Sequence, residues 1–402
     1  MGELFAHPRI ENLEMDLVPL SKAESSFLLE AGDLLFARQS LVLSGAGQCS
    51  IFIGNTEPTV FESHLIRCRL DKSVANPNFF FYFFRSPAGR TAIEAIVEQG
   101  AGASGIRGSD LVNILVPLPP KAIQEETATV LTALDDRIAL LRETNATLEA
   151  IAQALFKSWF VDFDPVHAKQ QGIAPAGMDE ATAALFPDSF EDSELGVLPK
   201  GWRTGSVLDI ANLLSGGTPK TDRPEFWGGD IAWASAKDVS QSNAPVLTQT
   251  DRTITPEGLE KSATQMIPAM ATVVVARGAT TGRMVLFGKP MAMNQTCYAL
   301  VSKLNAPVAL HCLMRREIDN LVNAAHGSVF DTITTSTFAR SRVVLPPRAL
   351  LERFEELAGH VFKRIVVATE TAQTLATLRD TLLPRLISGQ LRLPEAEAAV
   401  AS

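Results

Sequence analysis

The 402-residue sequence predicts an α+β fold: two mixed α/β modules joined by two long antiparallel coiled-coil helices, with the halves related by a pseudo-twofold duplication. Three observations predict it. Pro119-Pro120 and Pro346-Pro347 each open a long helical stretch, at an offset of 347 − 120 = 227 residues. Beyond those prolines the apolar positions coincide at the same offset, Leu134 with Val361, Ile138 with Ile365, Leu141 with Ala368, Leu148 with Leu375, Leu155 with Leu382 and Trp159 with Leu386. Upstream of each helix lies a segment of short apolar runs, glycines and polar loops, and residues 100–111 align with 327–338 without a gap.

The first module spans residues 1–118. Its Phe36-Ala37-Arg38 matches Val275-Ala276-Arg277 at 277 − 38 = 239, so loop lengths differ between the copies, as they commonly do in homologous modules. In that register Met1 corresponds to about residue 240. The first module therefore has no counterpart of residues 201–239, and reads either as truncated through a misplaced start or as naturally short.

The first spacer helix covers 119–160. Leu131, Ile138, Asn145, Ala152 and Trp159 recur every seven residues, interleaved with Leu134, Leu141, Leu148 and Leu155, which makes a sustained a/d seam. The second spacer helix covers 346–391, where Ala358, Ile365, Ala372, Arg379 and Leu386 interleave with Val361, Ala368, Leu375 and Leu382. A seam of this kind requires a partner helix, and small residues at Ala152, Ala368 and Ala372 allow the two helices to approach each other. The plainer alternative is that each packs on its own module. Asn145, a lone polar a position, is placed to fix register. A helix of about 35 residues is roughly 50 Å long.

Residues 161–199 hold eight carboxylates against Lys169, and with their Pro, Gly and Ala content they read as an acidic linker in which Pro165 stops the first helix. The second module covers 200–345, opening at Gly201-Trp202-Arg203, and a tail of 392–402 closes the chain. From 200 to 300 ten Lys or Arg outnumber eight carboxylates, which permits a local basic face despite the overall charge of −9. No run approaches the roughly 18 apolar residues of a membrane span, and the N-terminus lacks a signal-peptide core. Cys49, Cys68, Cys297 and Cys312 have no C-x-x-C spacing, which argues against a metal site or disulfide framework. A reduced, cytoplasmic setting is expected.

Catalytic motifs are missing where they might be sought. Gly216-Gly-Thr-Pro-Lys-Thr221 lacks the G-x-x-x-x-G-K-[ST] spacing of a phosphate-binding loop. Phe163-Asp164-Pro165-Val166 lacks the second proline and aromatic of an adenine-methyltransferase motif. Pro187-Asp188 with Glu191 has no suitably spaced lysine for a nuclease.

Three stretches stand out: Leu155-Phe-Lys-Ser-Trp-Phe-Val-Asp-Phe-Asp-Pro165, Glu194-Leu-Gly-Val-Leu-Pro-Lys-Gly-Trp202, and Ser215-Gly-Gly-Thr-Pro-Lys-Thr221 followed by Phe226-Trp-Gly-Gly-Asp-Ile231. Through them the chain resembles the specificity subunits of Type I DNA restriction-modification systems. Arg277-Gly-Ala-Thr-Thr-Gly-Arg283 and Asn294-Gln295 are similar to that family's recognition loops. The resemblance implies two target recognition domains, an asymmetric bipartite double-stranded DNA target with an unread spacer, and a non-catalytic chain without cofactor of its own. It also implies two modification (methyltransferase) subunits and a restriction (translocase/nuclease) subunit as partners, which would carry S-adenosylmethionine, ATP and Mg. Two other classes stay open: a self-contained methyltransferase or nuclease with duplicated recognition domains, and a coiled-coil scaffold that does not bind DNA.

In the second module the expected DNA contacts are Thr218, Lys220, Lys237, Arg277, Thr280, Thr281, Arg283, Asn294 and Gln295. Gly278 and Gly282 would let the backbone approach DNA, and Arg277 or Arg283 would meet phosphate or guanine, unless the loop is only a tight turn with solvated arginines. The first module's equivalents are Arg38, Gln39, Ser40, Ser63, His64 and Arg107. Phe156, Trp159 and Phe160 are expected to be docking contacts for the modification subunit, with core packing as the alternative.

Overall fold

The computed structural model describes residues 2–100, 102–324 and 332–391; part of the repeat at 327–338, and the 392–402 tail, lie outside the described residues. The chain forms two compact units, one from residues up to 138 and from 374 onward, the other from residues 139–373. Both long helices, Lys121–Phe160 and Arg348–Ile387, contribute to each unit. They are 40 residues each, and they begin and end at the 227-residue offset already visible in the prolines. No described helix is long and apolar enough to cross a membrane, and all four cysteines are free.

In the first unit a four-stranded sheet runs in the order Arg9–Glu11, Cys49–Gly54, Leu34–Ala37, Leu65–Cys68. The outer pair at Arg9–Glu11 is parallel and the others are antiparallel. Helix Pro77–Arg85 covers the sheet. Its start is set by Pro77 in the first turn and by the Asn76 side chain, which accepts from the Asn78 and Phe79 amides. All six aromatics from Phe79 to Phe84 are buried. Leu131 and Leu134 of one long helix share that core with Leu382, Leu383 and Leu386 of the other. Among these apolar side chains Arg379 donates to Asp135 at 2.6 Å, so this a position carries an ion pair.

In the second unit a five-stranded sheet has the order Ala211–Ser215, Cys297–Ser302, Thr272–Val275, Met284–Phe287, Val246–Leu247. A three-stranded sheet of Arg252–Ile254, Trp227–Ala234 and Ala292–Met293 stands beside it. Helix Pro307–Ala324 packs on the larger sheet, and its first amides are held by Glu355 from the second long helix. Burial pushes the Glu355 carboxyl up to about 7, while the Ala309 and Val308 amides act in the opposite sense. Ala152, Phe156 and Trp159 of the first long helix interlock with Phe354, Ala358, Phe362 and Ile365 of the second. Asn145 donates to Thr369 at 3.0 Å. Taken with the 135–379 pair, the register is antiparallel: one helix steps back ten residues as the other advances ten.

The strands equate one by one. Thr272 pairs with Leu286 and Leu300 as Leu34 pairs with Ile51 and Cys68. This ladder moves the expected match by one residue. Gly282 donates to Val275 as Gly47 donates to Ala37, and Ile333 donates to Ala276 as Ile106 donates to Arg38. Arg38 thus corresponds to Ala276, and Gln39 to Arg277. The four strands of the first sheet match four of the second, and among the described residues none in the first unit matches Ala211–Ser215.

Residues 161–199, expected as an acidic linker, carry regular structure. They form helices Asp164–Gln170 and Glu180–Ala184 and a hairpin of Phe190–Ser193 with Gly196–Pro199. Their apolar residues anchor them: Val166 and Phe186 join the core of Trp159 and Phe160, and Phe163 stacks edge-on to Trp202. The acids have local work. Asp179 caps its helix and pairs with Arg353, Glu191 accepts from the Gly201 amide, and Glu194 accepts from Thr204 and Arg342. The first long helix ends at Phe160, before Pro165, and Pro165 lies in the first turn of the next helix.

Candidate nucleic-acid interface

Three loops of the second unit meet at one end of the five-stranded sheet. Residues 216–221 follow strand Ala211–Ser215, residues 276–283 join Thr272–Val275 to Met284–Phe287, and residues 294–296 precede Cys297–Ser302. Close backbone approach builds the cluster. A Cβ on Gly216 would lie 2.1 Å from the Asn294 carbonyl oxygen, and one on Gly217 would lie 2.4 Å from the Thr264 amide nitrogen. The Gly217 amide instead donates to the Met293 carbonyl at 2.9 Å. Only glycine fits at either position.

Side chains then fasten the loop. Trp233 Nε1 donates to the Gly217 carbonyl at 3.0 Å and Trp227 Nε1 to the Lys220 carbonyl at 3.1 Å. Gln265 Nε2 donates to the Ser215 carbonyl at 2.9 Å. Thr218 Oγ1 donates to Gln295, so two expected contact residues from distant parts of the chain stand together. Asn294 uses its Oδ1 internally, accepting from the Thr296 amide and hydroxyl.

The Arg277 loop is a tight turn with exposed arginines. Thr281 and Arg283 donate their amides to Gly278 and Thr280, and Gly278 and Gly282 take φ of 99° and 90°. Arg277, Thr280 and Arg283 are exposed, and neither arginine has a carboxylate partner among the described residues. Lys237 differs: it is exposed but bound to Asp251 at 2.8 Å, so its charge is already compensated.

In the first unit the Arg38 amide donates to the His64 carbonyl, and Gln39 and Ser40 pair with Gly105 and Ser104. Arg38, Gln39, Ser40, Ser63 and His64 therefore gather at the corresponding sheet end. Arg107 is exposed there but pairs with Glu98 at 2.6 Å, and His64, when protonated, faces Glu62 at 3.4 Å. No counterpart of the 216–221 loop accompanies them among the described residues.

Phe156, Trp159 and Phe160 are core. They are 6%, 3% and 4% exposed and stack edge-on or tilted against Phe354, Phe186 and Trp202. That burial favours core packing over the expected docking face, since only a few per cent of each side chain is left for a partner to meet.

One residue escapes a reading of the sequence. Arg252 places its guanidinium carbon 3.4 Å over the Trp227 ring. The Trp227-Gly-Gly-Asp230 run hints at a distorted strand, but nothing local connects it to position 252.

The family described as Type I restriction modification DNA specificity domain matches residues 11–150 and 199–349. The chain is 26% identical over 442 residues to the HindI type I restriction enzyme specificity subunit of Haemophilus influenzae, covering 97% of this chain and 92% of that one. It is 24% identical over 323 residues to the MjaIX specificity subunit of Methanocaldococcus jannaschii, covering 79% and 69%. A solved structure of a Type I restriction-modification S subunit from M. genitalium superposes with a TM-score of 0.50 at 15% identity, covering 94% and 88%, a likeness of fold.

Proposed function

The chain belongs to the family of Type I restriction modification DNA specificity proteins, and from that premise we propose that it is the non-catalytic subunit that chooses the DNA target of a Type I restriction-modification complex. Each unit reads part of an asymmetric, bipartite double-stranded sequence with an unread spacer. Two modification subunits methylate adenine at that target, and a restriction subunit adds cleavage. S-adenosylmethionine, ATP and Mg belong to those partners, and the complex works in the cytoplasm.

The observation that carries the reading is the repeated loop cluster. In both units polar and basic residues converge on the same end of an equivalent sheet, the arrangement needed to present side chains to base edges while cations meet phosphates. In the second unit Thr218, Lys220, Arg277, Thr280, Thr281, Arg283, Asn294 and Gln295 serve this role, with Lys237 available on release from Asp251. In the first, Arg38, Gln39, Ser40, Ser63, His64 and Arg107 serve it from fewer loops.

Long-read mapping of adenine methylation tests this in cells expressing the chain with its modification subunit, against cells lacking the chain. A bipartite motif present only with the chain is the expected result. An assembled complex that produces no chain-dependent motif would overturn the reading.

A further inference from the structure

The geometry points to Arg252 as a DNA-contacting residue of the second unit, its guanidinium pre-aligned by Trp227 beside the Gly-rich loop. The inference rests on the recognition role proposed above and adds a residue to it.

The alignment begins in the backbone. In the three-stranded sheet both Trp227 and Ile231 fall opposite Ile254, so the strand bulges over the residues between them. Gly228 takes φ of 80°, and a Cβ on Gly229 would lie 2.7 Å from the Ile254 carbonyl oxygen. Glycines at both positions let the chain fold back. The bulge brings the Trp227 ring to Trp233, edge to face at 5.1 Å between centroids. Arg252, which is opposite Trp233 in the ladder, lays its guanidinium on the Trp227 face, with Trp233 further off at 5.8 Å.

Trp227 is thereby used twice. Its face carries Arg252, and its N–H holds the Lys220 carbonyl, so the arginine and the loop bearing Thr218 and Lys220 share one rigid support. Arg252 is exposed, and among the described residues its guanidinium makes no hydrogen bond or ion pair. A guanidinium stacked flat keeps its in-plane N–H groups available as a planar fork, a match for two adjacent acceptors. DNA offers such pairs at the O6/N7 edge of guanine and at a phosphate. A lysine would supply the charge without the fork. The structure thus favours an arginine held ready for a bidentate partner over a solvated surface charge.

The test uses the full chain assembled with its modification subunit, and fluorescence anisotropy on a duplex carrying the methylation motif or the same duplex with either half scrambled. If Arg252 reads guanine, R252A and R252K both weaken binding at least about tenfold to the duplexes that keep the half read by the second unit and leave the duplex with that half scrambled unchanged. If it holds phosphate, R252A weakens all duplexes alike and flattens the log–log salt dependence by about one, while R252K retains most of the binding. Either pattern supports the inference. Both variants within about twofold of wild type on every duplex, with wild type still discriminating, would overturn it and leave the recognition role standing. A wild-type complex that does not discriminate would overturn the recognition role, and the inference with it.

Discussion

Asn145 Nδ2 donates to Thr369 Oγ1 at 3.0 Å between the two long helices, and Thr369 passes its own proton to the Ile365 carbonyl at 2.8 Å. Asn145 is 3% exposed, and its Oδ1 is buried with no partner among the described residues. A polar residue retained at such a position fixes register at a cost in stability.

Replacing Asn145 with leucine should therefore stabilise the protein by about 1 kcal/mol, because it removes an unsatisfied acceptor and fills the same space. N145D should destabilise it by about 3 kcal/mol by burying an uncompensated charge. Thermal melts followed by circular dichroism decide the matter. A leucine variant that melts lower than wild type would show that the pairing with Thr369 outweighs the orphan oxygen.

Glu355 sets a pH dependence. Burial raises its folded pKa to about 7 from an ordinary value of 4.5, so between those values the folded state binds more proton than the unfolded chain. Its contribution is fully present below the lower value and is lost as pH rises through the upper one. Wild type should lose more thermal stability than E355Q between pH 5.5 and pH 8. Parallel pH profiles for the two proteins would count against the assignment.

Trp159→Ala should act as a core deletion, costing about 3–5 kcal/mol. Protease sensitivity of the second unit should rise along with any loss of partner binding. Normal stability with selective loss of the modification subunit would restore the docking role that the burial argues against.

Gly216→Ala should separate the Gly-rich loop from Asn294, because the added methyl meets a backbone carbonyl that cannot swing aside. The expected loss is about 1–3 kcal/mol of stability, together with at least about tenfold weaker binding to the methylation motif. Gly102→Ala, with nothing within 4 Å of its Cβ, is the control and should change stability by less than about 0.5 kcal/mol. Equal behaviour of the two variants would mean that the loop's packing is not required.

The long helices were legible because a seven-residue pattern is local and was written twice. Asn145 and Arg379, the two polar a positions, could be named from the pattern, but their partners Thr369 and Asp135 could not, since each lies more than 200 residues away. The strand register slipped by one because strands of four residues offer little pattern to anchor an alignment, and the identity of Ala37-Arg38 with Ala276-Arg277 outweighs it, whereas the ladder equates Arg38 with Ala276. The acids of 161–199 masked three apolar anchors, Val166, Phe163 and Phe186. Phe156, Trp159 and Phe160 looked like an exposed patch because what covers them, Phe186, Trp202 and Phe354, comes from three separate stretches of chain.

The two indole N–H groups hold carbonyl oxygens of the Gly-rich loop, never its side chains. The loop's path is thus indifferent to what Lys220 happens to be, while Thr218 adds a side-chain link to Gln295. Under the recognition role proposed above, position 220 is an interchangeable part on a fixed mount, where a new target preference can be acquired by substitution alone, without the module having to learn to fold again.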